Sequence, residues 1–116
     1  MVHNNNRRIE ELENLEPGWL DGDGEVPSSQ SLAIAEDIFD FLCEFNIGVK
    51  MFPTPTGGVS IEVMHDGLNI DIMVHDKKLI EVFMTITGED DYIWEYYLKS
   101  RLGALQNRIK HFIDRR

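Results

Sequence analysis

Three carboxylates in strand-like runs, Glu62, Asp71 and Glu81, and two His-Asp dipeptides, His65-Asp66 and His75-Asp76, are the groups in this 116-residue chain best suited to chemistry. A histidine beside an aspartate can act as an oriented general base or join a metal shell. The intervening sequence argues against both. Residues 59–65 and 68–74 alternate apolar with polar side chains and are joined by Asp66-Gly67, the signature of a tight hairpin. The two histidines then fall at opposite ends of seven-residue strands, about 20 Å apart. They cannot share a substrate or a metal within one subunit, and turn positions suit them better.

Other motifs fail on equally specific grounds. Asp21 and Asp23 open like a calcium loop, but the twelfth position, which must supply a bidentate Glu, is Leu32. Gly57-Gly58 precedes neither Gly-Lys-Ser/Thr nor a helix, so it is no phosphate loop. There is no Gly-x-Ser-x-Gly and no dinucleotide fingerprint. The lone Cys43 excludes an intramolecular disulfide, fits a reducing cytoplasm, and reads as a buried structural thiol on the apolar side of a helix. These readings leave no cofactor and no catalytic residue.

The elements that must position the carboxylates are clear at the centre of the chain. Residues 59–65, 68–74 and 79–86 read as a three-stranded antiparallel meander. Its hairpin register pairs Val63 with Ile70, Ile61 with Ile72 and Val59 with Val74 on one apolar face. The other face pairs Glu62 with Asp71 and places Glu81, Phe83 and Thr85 beside Asp71. Glu62, Asp71 and Glu81 are therefore expected as an acidic row on strands about 4.8 Å apart, with Met64, Met73 and Phe83 on the same face. Directly opposed like charges are unfavourable in a sheet, so acids beside soft apolar groups suggest a partner surface. The alternative is that a basic C-terminal helix folds over this face, with Arg101 or Arg108 neutralising it. A metal site is a distant third, because no His or Cys lies on the row.

Flanking elements follow from composition. Residues 6–15 read as a short helix closed by Pro17-Gly18, and Trp19 as an anchor pinning the acidic turn after it to the core. Pro27-Ser28-Ser29 opens the main helix, roughly 29–46. Its apolar arc exceeds the roughly 100° that packing on a sheet requires, so another helix or a second subunit should cover the remainder. Residues 49–52 form a short strand that Pro53 and Pro55 confine to an edge. Residues 91–113 are expected as a helix, since Trp94, Leu98, Leu102, Leu105, Ile109 and Phe112 step by four, four, three, four and three; a strand at 92–97 is the alternative. The result is a single α+β domain spanning 1–116: an antiparallel meander of three to five strands packed against a long helix, with a C-terminal helix.

Charge narrows the partners. Residues 99–116 carry six basic side chains against Asp114 alone, so the net −10 of the chain divides into +5 there and −15 in residues 1–98. That balance disfavours direct binding to nucleic acid or an anionic membrane. No segment resembles a signal peptide or approaches the roughly 20 apolar residues of a membrane helix, so a cytoplasmic location is expected.

Gly18-Trp19-Leu20-Asp21-Gly22-Asp23-Gly24-Glu25-x-Pro27-Ser28 and Phe52-Pro53-Thr54-Pro55-Thr56-Gly57-Gly58-Val59-x-Ile61-Glu62 resemble a family of small bacterial and phage proteins. That family combines a Gly-Trp-x-Gly-x-Gly-x-x-Pro opening with a Pro-Thr-Pro-x-Gly-Gly-x-x-x-Glu-Trp strand entry. The likeness covers roughly residues 17–86 and departs at Val63, where the family has Trp. It implies a microbial or phage origin, loosely consistent with antitoxins or accessory proteins of mobile elements, and supplies no catalytic residue. The expectation is a non-enzymatic acidic module binding a basic protein through Glu62, Asp71, Glu81, Met64, Met73 and Phe83. Its most concrete form is a phage or mobile-element inhibitor that occupies the nucleic-acid-binding surface of a defence protein. The alternative is a homodimeric, antitoxin-like or structural module whose interface is Leu98, Leu102, Leu105, Ile109 and Phe112.

Overall fold

The computed structural model describes residues 4–75 and 78–114. Asp76 of the second His-Asp dipeptide, Arg115 and Arg116 lie outside the described residues. Helix α1 (Asn4–Glu13) and helix α2 (Ser29–Cys43) precede five strands: β1 (Val49–Pro53), β2 (Val59–His65), β3 (Leu68–Val74), β4 (Leu79–Ile86) and β5 (Tyr92–Leu98). One 3-10 turn, Lys99–Arg101, leads into helix α3 (Leu102–Asp114). The strands form one antiparallel sheet in the order β1-β2-β3-β4-β5.

Alternation builds one face of this sheet as the floor of the core. Val59, Ile61, Val63, Leu68, Ile70, Ile72, Val74, Ile80, Val82 and Met84 are all buried. Asp66 and Gly67 both hold positive φ, 53° and 85°, as the tight turn between β2 and β3 requires. That turn sets the register Val59↔Val74, Ile61↔Ile72 and Val63↔Ile70.

All three helices cover this one face. The Ser28 side chain accepts from the Ser31 backbone N–H at 3.0 Å and caps α2, which sends Leu32, Ile34, Ala35, Ile38 and Leu42 inward. The surplus apolar arc of α2 is covered by α1, whose Ile9 and Leu12 are buried in the same cluster. Cys43 is exposed, not buried as expected: it follows the buried Leu42 by about 100° around the helix and so turns away from the sheet. At the other end of the sheet α3 contributes Leu105, Ile109 and Phe112, spaced four and three apart.

The expected helix over 91–113 is corrected here: its first third is β5, and helix begins only at Leu102. The spacing misled because a step of four is also even. Trp94 and Leu98 share a face of a helix, but they equally share a face of a strand. The aromatic and β-branched content of Tyr92–Leu98 and a vacant edge of β4 settle the segment as strand.

Two glycine-bearing loops clamp the remaining end of the sheet. The Glu25 N–H donates to the Pro55 carbonyl at 2.9 Å, and the Ser28 N–H to that of Gly57 at 3.0 Å. Trp19 donates from Nε1 to the Glu25 carbonyl at 2.8 Å, so it closes the first loop on itself instead of pinning it to the core as expected. At Gly58 a Cβ would run into the Val74 carbonyl, so only glycine lets the second loop lie against β3.

Candidate functional site

Among the described residues no helix lies on the second face of the sheet, which is open. Its side chains stand in rows across all five strands. Lys50, Glu62, Asp71, Phe83 and Trp94 form one row, and Phe52, Ser60, Met73, Glu81 and Tyr96 the next. Met64 is 78% exposed, and Tyr92, Trp94, Tyr96 and Leu98 are each more than half exposed. An apolar and aromatic surface of this extent on one face is unusual for a side of a sheet that meets solvent.

Glu62 and Asp71 oppose each other directly, as expected. Partial burial and then the Glu62 charge raise the Asp71 carboxyl above its ordinary value. Lys50 stands on the other side of Glu62. The acidic row ends there. Phe83 is opposite Asp71, and Glu81 lies one pair further along, opposite Met73 and Tyr96. The expected three-acid row is thus a pair plus a separate carboxylate, because β4 enters the sheet two residues out of step with that reading.

Glu81 has its own surroundings. Its Oε1 lies 2.9 Å from His75 Nε2, while Oε2 accepts from Trp94 Nε1 at 2.7 Å and from the Tyr96 hydroxyl at 3.3 Å. The His75 hydrogen bond first, aided by those from Trp94 and Tyr96, lowers the Glu81 carboxyl below its ordinary value. Carboxylate form and orientation are therefore both set by neighbours. Around it the exposed rings are ordered: Phe83 stacks on Tyr92 with centroids 5.5 Å apart, and Trp94 and Tyr96 sit at 6.1 Å with a 39° tilt.

The basic C-terminal helix does not reach this face. Arg108 donates from Nε to Glu95 Oε1 at 3.3 Å on the core side, where the Tyr97 hydroxyl also donates to the same oxygen at 2.7 Å. Burial and the Glu95 contact push Tyr97 up to about 12. The helix-mediated dimer surface is likewise corrected. Leu105, Ile109 and Phe112 are core residues and Leu102 packs against them, while Leu98 belongs to β5 and faces the open side. A dimer built on that helix face would have to open the fold.

His65 sits at the Asp66-Gly67 turn and His75 just beyond the far end of β3, so the structure does not bring the two dipeptides together. Among the described residues no three of His, Cys, Asp and Glu are grouped to hold a metal ion. No helix there is long and apolar enough to cross a membrane. Sequence reasoning missed Tyr92, Trp94, Tyr96 and His75 as part of the open face. The signal for the aromatics was their alternation in Tyr92–Leu98, which the helical spacing of Trp94 and Leu98 masked. Comparison with protein-family models, curated proteins and solved structures finds no match to this chain.

Proposed function

We propose that this protein is a non-enzymatic binding module whose open sheet face docks a basic protein partner. One observation carries the reading: all three helices lie on the same side of the sheet, leaving Met64, Met73, Phe83, Trp94 and Tyr96 exposed around Glu62, Asp71 and Glu81. Exposed aromatic and methionine side chains supply desolvation energy at protein interfaces, and Trp and Tyr are the most frequent anchors. The carboxylates select the partner's sign. The net charge of −10 extends the same preference over distance and speeds encounter with a cationic surface. A surface built to hold phosphates is the most concrete target, and occupying it would make this chain an inhibitor of a nucleic-acid-binding protein, as in mobile-element conflict with host defence.

The test is affinity capture from the native host with two baits, the wild-type chain and the double variant Glu62→Lys/Asp71→Lys. Both substitutions are on the exposed face, so an unchanged melting temperature certifies the fold. A basic protein retained by the first bait and lost from the second supports the reading. Equal retention by both overturns it.

A further inference from the structure

Glu81, Trp94 and Tyr96 form a unit distinct from the opposed pair Glu62 and Asp71. Both oxygens of the Glu81 carboxylate are held, by His75 on one side and by Trp94 and Tyr96 on the other. Among the described residues no lysine or arginine pairs with it, and the ion pairs of Arg8 and Arg108 go to Glu11 and Glu95. The Trp94 indole meets the carboxylate edge-on through Nε1, which leaves its π-face beside a fixed negative charge, and the ring is 54% exposed. Tyr96, tilted by 39° against Trp94, extends the same shelf.

A ring face next to an oriented carboxylate is complementary to a flat cation. The ring quadrupole attracts the cation from below, and the carboxylate accepts its N–H groups from the side. Guanidinium fits better than ammonium. It is planar, more weakly hydrated and able to stack while donating in its own plane. The chain's negative charge supplies the wider complementarity.

We propose that Glu81, Trp94 and Tyr96 are the seat for an arginine side chain of the basic partner, its guanidinium stacked on Trp94 and directed at the Glu81 carboxylate. This inference rests on the open-face reading above and names its anchor. The partner is thereby defined as a protein that presents an exposed arginine, which separates it from lysine-rich cations of equal charge.

The two tryptophans of the chain make the test direct. In the 15N-labelled full-length protein the Trp94 indole N–H reports on the Glu81 hydrogen bond, and the Trp19 indole N–H, bonded to Glu25 in a separate loop, is the internal control. The probes are the peptides Arg-Gly-Arg-Gly-Arg and Lys-Gly-Lys-Gly-Lys, blocked at both ends, at matched ionic strength. Titration with the arginine peptide should shift the Trp94 signal and leave that of Trp19 in place, and the lysine peptide should bind several-fold more weakly. Glu81→Gln, which keeps an acceptor oxygen, should raise the Kd about tenfold, the loss of one charge-assisted contact. Trp94→Leu, which keeps the Glu81 charge but removes the ring and its N–H bond to the carboxylate, should weaken binding comparably and guards against a folding defect in the first variant. Shifts confined to residues around Glu62 and Asp71, with Glu81→Gln binding as wild type, would overturn the seat and leave the open-face reading standing. Equal affinity for the two peptides removes the preference for arginine. No shift anywhere on the open face would remove both.

Discussion

The two faces of this sheet are made by the same five strands and differ by one residue of register along each. On the covered face every position from β2 to β4 except the terminal His65 carries an aliphatic or methionine side chain, and α1, α2 and α3 pack on it. On the open face Glu62 confronts Asp71, aromatic side chains face water, and a carboxylate is fixed among rings. The covered face is explained by stability alone. The open face is not: an opposed carboxylate pair is unfavourable, and Tyr92, Trp94 and Tyr96 leave more than half of their surface in solvent. Both features lie on the surface to which the proposed docking role is assigned.

That contrast can be broken most sharply in the middle of the sheet. Ile72→Ala, at a fully buried position, should cost about 2–5 kcal/mol in urea unfolding, whereas Met64→Ala on the opposite face should stay within about 0.5 kcal/mol of wild type. Comparable losses from the two would mean that the open face is also core.

Adjacent tyrosines on β5 offer a second comparison, since Tyr97 points to the covered side and Tyr96 to the open one. Tyr97 is held neutral in the fold up to about 12. Its raised value contributes stability that is complete below its unfolded value of 10.0 and is lost as pH rises through about 12. Alkaline unfolding of wild type should therefore steepen above pH 10, and Tyr97→Phe should flatten that slope. Identical slopes would place the Tyr97 hydroxyl in solvent.

The smallest expected effect lies at the acidic pair. Asp71 is raised from 3.8 by partial burial and by Glu62, so its ionised form opposes folding at neutral pH. The penalty is absent below that ordinary value and present above the raised one. Asp71→Asn should stabilise the protein at pH 7 by a few tenths of a kcal/mol, with the gain disappearing near pH 3. A loss of stability instead would show that the carboxylate makes a favourable contact within the monomer, and the case for a partner surface would weaken.

Much of this architecture was legible because the decisive signals are local. The Asp66-Gly67 turn dictates a hairpin, and once β2 and β3 are paired the Glu62–Asp71 opposition follows by counting. Ser28 marks the start of α2 through a hydrogen bond spanning three residues. Where the signal was even-numbered it was ambiguous, as at Trp94 and Leu98, and the aromatic half of the open face was hidden for that reason. The position of Glu81 depends on the short connection between β3 and β4, which carries no turn motif to count from.

Local order along the chain, then, determined the meander, its hairpin register and the presence of one apolar and one mixed face, because alternation and turn chemistry act over a few residues. Tertiary structure decided which face the helices took, that the basic helix went to the core side and paired Arg108 with Glu95, and that Glu81 met Trp94, Tyr96 and His75. Those contacts join residues up to fifteen positions apart through strand pairing and helix packing, and no short-range pattern encodes which partner closes such a loop.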